Sequence, residues 1–595
     1  MFFLFETKNY ASKYSTEIIN STLPPLLSSV LTREASEDFS LNFSSGESDQ
    51  RIRTIEDELS FIICCGYVRA LGGSKNLEIE EIETALSFGV RKFGGQYLIV
   101  RFDKKTLSTT IYSTIARIIP CYFHIGSDGL IISNRQSAIA GLIGARLNLD
   151  AAYSFVRNGY YVNEMSAFNS ISLVKSNAVT TIDSAGSVDV IEIDQTLSAI
   201  GTQELNDISR KRLKDAAANS FNPAFQNKKV KIGITGGRDS RLIAAMVTKH
   251  VPKTEISMFT KGEETDADVI LGKKVADFLN IDHEVTPPAK VTNQSSIKVN
   301  IASRIKQTII NGDFSLSAYD NLASSPKKFS FEQLSYAGNG GELLRSPLAF
   351  ANQDLESARR AIFVHGDSRQ IFRSDKSGER YNYLLKEWMD GMNPSIHASD
   401  LLKRFSLQFR TGRWGSASYM ASYSKLSQRP FYDNDLLSEV LPLSSHYSES
   451  EAIYYEMLVA ANEGLVGIPF DKGVLQLHKS PVPEYRTLSS SLVSFDELKP
   501  NRKRVAAVNW RRRIVGILGD ELCEIVNLVA SNNSDFAEFI DVDKYSDFIR
   551  SIKSRLAGTI DSKVAWSVAT LAMMVDMASN TIDDQITRKS IEVFL

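Results

Sequence analysis

The chain is poor in the residues that would announce a special chemistry. Four cysteines in 595 residues, Cys64, Cys65, Cys121 and Cys523, cannot build a disulfide framework and suit a reducing compartment. Seven histidines are scattered without metal-ligand spacing. An excess of one charge is missing too: the formal net charge is −2 and the isoelectric point is near 6.5, which gives no reason to expect a nucleic-acid or membrane partner. No apolar run reaches membrane-spanning length, and the opening MFFLFETKNY lacks the basic region and small-residue cleavage site of a secretory signal. The cytoplasm is therefore the expected location. Internal repeats are absent.

What is present suffices for more than one core. Hydrophobic residues make up 43% of the chain, and its length predicts two or three domains. Met1 to Phe5 reads as a short apolar strand, and Asn20 to Gln50, rich in Ser, Asn and Glu, as a surface loop. Strands are expected over Ser60 to Arg69, Gln96 to Phe102, Thr109 to Tyr112, Pro120 to His124 and Leu130 to Ser133, short segments separated by turns as in a sandwich.

The stretch VKIGITGGRDSR, Val230 to Arg241, organises the rest. Val230, Ile232 and Ile234 alternate as a half-buried strand, and Leu242, Ile243, Met246 and Val247 share one helix face. Between them, Thr235 to Ser240 forms a turn whose glycines permit positive φ and close approach, so that backbone N–H groups and a helix N-terminus can face an anion. No lysine follows the glycines, which excludes a Walker A loop. The bare alternative is a glycine-rich strand-to-helix turn with a capping Asp.

Downstream, Asn206 to Ser220 reads as a helix, which puts a boundary near residue 200. Glu255 to Thr260, Ala267 to Leu279 and Ile281 to Val285 alternate strand, helix, strand, the pattern of a parallel sheet with ligands at the carboxyl ends of its strands. Phe329 to Arg345, FSFEQLSYAGNGGELLR, then runs a second strand-like segment into glycines. The basic stretch Lys499 to Arg513 reads as a solvated helix face rather than a nucleic-acid site, and the almost wholly apolar Trp566 to Met577 as a helix packed on the second domain.

The TGGRDS turn resembles the SGGxDS loop of PP-loop ATP pyrophosphatases, and AGNGGE stands where asparagine synthetases carry SGEGxDE. FGGQYLIVRFDKK, IIPCYFHIGSDGLIISN and RNGYYVNEMSAFNSISLV, beginning at Phe93, Ile118 and Arg157, resemble the successive glutaminase strands of that family. The resemblance implies an α/β chain made of an α+β sandwich and an α/β domain. Residues 1–200 would form an αββα sandwich like that of N-terminal-nucleophile hydrolases, and residues 201–595 a PP-loop, adenine nucleotide α-hydrolase-like domain with a helical C-terminal extension. Phe2 stands where the family's N-terminal cysteine would be, so no glutaminase is expected. Cys65 and Gly66 reproduce a Cys-Gly start that cleavage after Cys64 would expose, but an apolar strand suits buried packing cysteines better.

The resemblance further implies ATP and Mg²⁺. Thr235, Gly236, Gly237 and Ser240 would hold the phosphates, Asp239 and Glu342 the metal, Phe259 would lie beside the adenine, and Ala337 and Gly338 would border the nucleotide. FRTGRWGSASYMASYSKLSQRPFYDNDLL, from Phe409, resembles the family's long helix and R-x-P-F-x-D segment, with Arg429 as the catalytic arginine and Arg413 nearby. Lys472, preferred to Lys479, would offset charge at the α-phosphate. Asn339 replaces a Glu linked to deprotonating the amine, and Gly341 stands near the usual Asp. The implied reaction is adenylation of a small-molecule or peptide carboxylate followed by amide formation, as in β-lactam synthetases and lasso-peptide cyclases, with a precursor peptide and its protease as expected partners. Two alternatives stay open: ammonia-dependent amidation of a uronate or amino acid, and a nucleotide-binding regulator without catalysis.

Overall fold

The computed structural model describes residues 2–7, 16–29, 31–35, 39–44, 51–287, 296–320, 328–345, 354–362, 371–374, 376–392, 396–489, 492, 510–553, 559–579 and 591–594. Most of the basic stretch from Lys499 lies outside them. It is a mixed α/β chain with separate antiparallel and parallel sheets.

Two six-stranded antiparallel sheets form the N-terminal part. One is centred on Phe2–Thr7, which pairs with Phe39–Ser44 on one side and Gly129–Ser133 on the other. In the second, Ser60–Arg69 pairs along its whole length with Gly94–Asp103. The period of two sorts the side chains. Phe3 and Phe5 meet Phe61, Ile63, Cys65 and Val100 between the sheets, whereas Phe2 and Leu4 join the outer helices through Ile139 and Phe155. On the far side Ile62 and Cys64 pack against Ile79, Ile82 and Leu86 of the helix Ile79–Ser87. Helices thus cover both outer faces of a sandwich. Cys64 and Cys65 are both buried within a strand.

The surface loop expected over Asn20 to Gln50 is not what forms. Leu31–Ala35 and Phe39–Ser44 are strands, with Phe39 and Leu41 buried in the sandwich. Ser40 and Asn42 face the other way and donate to the Glu6 carboxylate. Their polarity disguised a strand whose polar side has its own buried acceptor.

The second part is built on five parallel strands. Numbered in chain order they are Lys229–Gly233, Ile256–Lys261, His283–Thr286, Ser330–Tyr336 and Lys425–Gln428, and their order across the sheet is 3-2-1-4-5. The chain builds outward in one direction from the first strand and then reverses, which leaves a crevice between the first and fourth strands at their carboxyl ends. Asn206 caps the helix Asp207–Phe221 that leads in. The long helix expected from Phe409 is instead broken: wide turns over Ser406–Gly415, a short helix Ser416–Met420, then the fifth strand.

The helix Thr559–Ser579 also departs from expectation. Trp566, Ala569 and Met573 belong to the cluster that contains the outer sandwich residues Phe2 and Leu4, not to the core around Val230 and Ile232. A helix apolar on every face needs neighbours all round, and it finds them in Leu149–Asn158, Ile301–Asn311 and Trp510–Asn532. Among the described residues no helix is long and apolar enough to cross a membrane.

Candidate functional site

The first strand ends where Ile234 N–H donates to Phe259 O at 2.9 Å. After the turn, helix Arg238–Val247 begins with Gly237 at its N-cap and no capping side chain, so the helix terminus presents uncapped donors. The positive φ expected of the glycines does not occur: Gly237 has φ −74°, and Gly236 is not left-handed either. Close approach is what excludes a side chain at Gly236, because a Cβ there would lie 2.6 Å from Leu271 Cδ1 and 2.9 Å from Asp471 Cβ. The turn amides already have acceptors. Thr235 N–H donates to Ser240 Oγ at 3.1 Å, Gly236 N–H to Asp268 Oδ1 at 3.0 Å and Gly237 N–H to Thr235 Oγ1 at 3.1 Å.

Two arginines absent from the sequence reading hold a third segment against this turn. Buried Arg241 donates to the carbonyls of Leu465, Ile468 and Pro469, and burial lowers its pKa to about 10. Arg238 pairs with Glu451 at 2.6 Å and also donates to Val474 O at 3.0 Å. The Phe470 ring lies under both guanidiniums. Asp471 N–H reaches Gly236 O at 3.0 Å, which sets exposed Lys472 beside the turn. Burial raises the pKa of Asp268, and the Gly236 N–H and, more weakly, Lys472 oppose that shift without cancelling it.

The fourth strand delivers the other wall. Ala337 N–H is held by Gln428 O at 3.1 Å. Gly340 has φ +93°, and a Cβ there would meet the Tyr432 ring at 2.2 Å. Gly341 lies so close to the first turn that its Cβ would stand 2.3 Å from Asp239 Cγ. A side chain at position 341 cannot coexist with Asp239 as placed. Asp239 Oδ1 accepts from Arg345 Nη2 at 2.6 Å. Glu342 accepts from Gly340 N–H at 3.0 Å and lies 3.8 Å from Arg410. Burial raises the Asp239 pKa to about 6; Arg345 opposes that shift and Glu342 reinforces it.

Thr235, Gly236, Gly237, Asp239, Ser240, Ala337, Gly338 and Glu342 therefore converge on the crevice between the first and fourth strands. Phe259 lies within the neighbouring strand Ile256–Lys261, half-buried, with Lys231 Nζ 4.9 Å from its ring centre. Lys479 is exposed on the separate turn Leu477–Lys479. The two other arginines go elsewhere. Arg429 is buried, donates to Gly415 O at 2.9 Å and covers the Tyr419 ring; Arg413 donates to the carbonyls of Asn163 and Met165 in the sandwich. A cavity of about 620 Å³ also opens apart from this crevice, between Lys92 and Asp194 of the sandwich and Arg212 and Glu439 beyond it.

The carboxylates suit a hard divalent cation. Among the described residues no three metal-ligating side chains gather; Asp239 and Glu342 are the two carboxylates that the sequence resemblance would assign to a cation. Mg²⁺ commonly takes one or two carboxylates and completes its shell with phosphate oxygens and water.

No family model matches the chain and no curated protein does. Among solved structures it is similar to the allosteric regulatory enzyme of purine biosynthesis, with 8% identity and a TM-score of 0.20 over 49% of this chain and 82% of that one. It is also similar to glutamine phosphoribosylpyrophosphate amidotransferase from B. subtilis complexed with ADP and GMP, with 10% identity and a TM-score of 0.17 over 52% and 64% of the two chains. Likenesses at those scores carry no argument about this protein. Its own geometry defines an α/β chain of two parts: a helix-covered antiparallel sandwich, and a parallel sheet with a glycine-lined, doubly acidic crevice at its strand reversal.

Proposed function

We propose that this crevice binds Mg·ATP and that the protein is an ATP-dependent amide-forming ligase. The observation that carries the reading is the meeting of the two glycine turns, with Asp239 and Glu342, at the uncapped N-terminus of the helix Arg238–Val247. Such a terminus favours phosphate, and the reversal of strand order is where open α/β sheets bind their ligands.

In the proposed reaction a substrate carboxylate oxygen bonds to the α-phosphorus, the bond to the bridging oxygen of the β-phosphate breaks, and pyrophosphate leaves. An amine then attacks the acyl carbon, loses a proton, and AMP departs. Ser240 and the helix amides would orient the phosphates, and Lys472 would offset negative charge as it develops. Asp239 and Glu342 would hold the divalent cation, which supplies charge neutralisation at the leaving group. Asn339 cannot serve as a base, so the amine's proton goes to another acceptor or to water.

The test is pyrophosphate release from ATP and Mg²⁺ in the presence of amine-bearing carboxylates, small molecules and peptides alike. Release that depends on Asp239 supports the ligase; nucleotide binding with no release against any of them favours a non-catalytic nucleotide-binding protein. That second reading is favoured by Asn339 and by the Asp239–Arg345 pair.

A further inference from the structure

The crevice is complementary to itself in the structure. Every turn amide from Thr235 to Gly237 has a protein acceptor, and the two carboxylates expected to meet a cation each face an arginine, Asp239 with Arg345 at 2.6 Å and Glu342 with Arg410 at 3.8 Å. These contacts occupy the groups that a metal-bound polyphosphate would need. Arg345 is the member built to move. It hydrogen-bonds Asp239 through one nitrogen, its Nε is buried with no hydrogen-bond partner among the described residues, and the two side chains are 27% and 26% exposed. A guanidinium that uses part of its donor fork on a carboxylate can exchange it for a phosphate, which offers more oxygens in the same geometry.

We propose that Arg345 is an electrostatic placeholder: in the free protein it occupies the Asp239 oxygen that a divalent cation needs, and on entry of a nucleoside triphosphate it passes to the phosphate oxygens and releases Asp239 to the cation. This rests on the functional reading above and assigns Arg345 a positioning role within it. The consequence is thermodynamic coupling. Cation alone must displace Arg345 from Asp239 without a new anion for the arginine to join, and binds weakly; nucleotide supplies that anion, so each ligand strengthens the other by the same factor.

Electron paramagnetic resonance of Mn²⁺ tests this with α,β-methylene-ATP as the nucleotide, and it reads metal binding without turnover. Wild type is expected to bind Mn²⁺ weakly alone and at least about tenfold more tightly with the analogue. In Arg345→Ala, Mn²⁺ alone should bind about tenfold more tightly than to wild type, the analogue more weakly, and the mutual enhancement should largely vanish. Arg345→Lys, which keeps the charge, should retain weak metal binding, and Arg345→Gln serves in place of the alanine variant if that does not fold. A merely structural arginine would leave the coupling factor unmoved. If the analogue binds wild type but Mn²⁺ affinity is the same in wild type and Arg345→Ala, the placeholder is overturned and the nucleotide site stands; if wild type binds no analogue at all, both fall.

Discussion

Asp433 and Asp239 each face an arginine, and their surroundings could hardly differ more. Asp433 is completely buried, and both its oxygens are taken: Tyr67 Oη and Arg69 Nη1 donate to one at 3.1 and 3.3 Å, Gly95 N–H and Asp435 N–H to the other at 2.9 and 3.0 Å. Three of those four donors belong to the sandwich, so Asp433 fastens it to the parallel-sheet part. Among the described residues Asp239 has Arg345 and no comparable shell, and it is a quarter exposed. A carboxylate whose acceptors are all filled by protein fixes structure, whereas one with a single exchangeable partner at a helix N-terminus is available to a ligand. The comparison also relocates the R-P-F-Y-D segment. Arg429 O accepts from Gln96 and Asn434 bridges Ile115 N–H and Phe93 O, which makes the whole segment a fastener between the two parts.

Breaking the fastener should have the largest effect. Asp433→Ala leaves the Arg69 charge buried and unpaired, and is expected to cost about 3–5 kcal/mol of unfolding free energy, read by urea titration; a loss below about 1 kcal/mol would mean that the junction tolerates solvent. Lys472→Ala should act on chemistry alone, lowering pyrophosphate release about 100-fold while nucleotide affinity holds, as single-turnover kinetics would show; a fall in affinity with an unchanged rate would make the lysine an ordinary binding contact. Gly341→Ala sharpens the other half of the comparison. Its Cβ must displace the Asp239 carboxylate, at a cost of about 1–3 kcal/mol, together with weaker metal binding; calorimetric melting and Mn²⁺ titration check both.

The smallest effect concerns Asp435, next to the fastener. Its pKa is raised, by burial first and then by the Asp433 charge. The native state therefore holds this proton more tightly than the unfolded chain. That contribution is present below the unfolded pKa near 3.9 and is lost as pH rises through the folded value. Asp435→Asn keeps an acceptor for Gly72 N–H, so it should be slightly more stable than wild type at pH 7, with the gap closing towards pH 4. A gap that widens as pH falls would reverse the assignment.

The sequence made the strand Lys229–Gly233 legible because its alternation is intact, Ser60–Arg69 because its apolar run is buried on both faces, and Ala267–Leu279 because its period is helical. It concealed Phe39–Ser44, whose outward serine and asparagine look like loop, and Lys425–Gln428, a short edge strand with one fully buried apolar residue. At the candidate site the residues within each glycine turn were readable, since local motifs carry them. Arg238, Arg241 and Arg345 were not, because their roles depend on partners at 451, 465–469 and 239. Arginines at the start of an otherwise apolar helix were the one visible hint. For Arg429 and Asp433 the pattern was readable, but only tertiary packing reveals that they face the sandwich.

The most direct measurement is a crystal structure with Mg²⁺ and a non-hydrolysable ATP analogue. The β- and γ-phosphates are expected at the N-terminus of the helix Arg238–Val247, with the cation on Asp239 and Arg345 turned away from that carboxylate. Phosphates bound instead in the cavity beside Lys92 and Arg212, with the Asp239–Arg345 pair intact, would contradict that expectation.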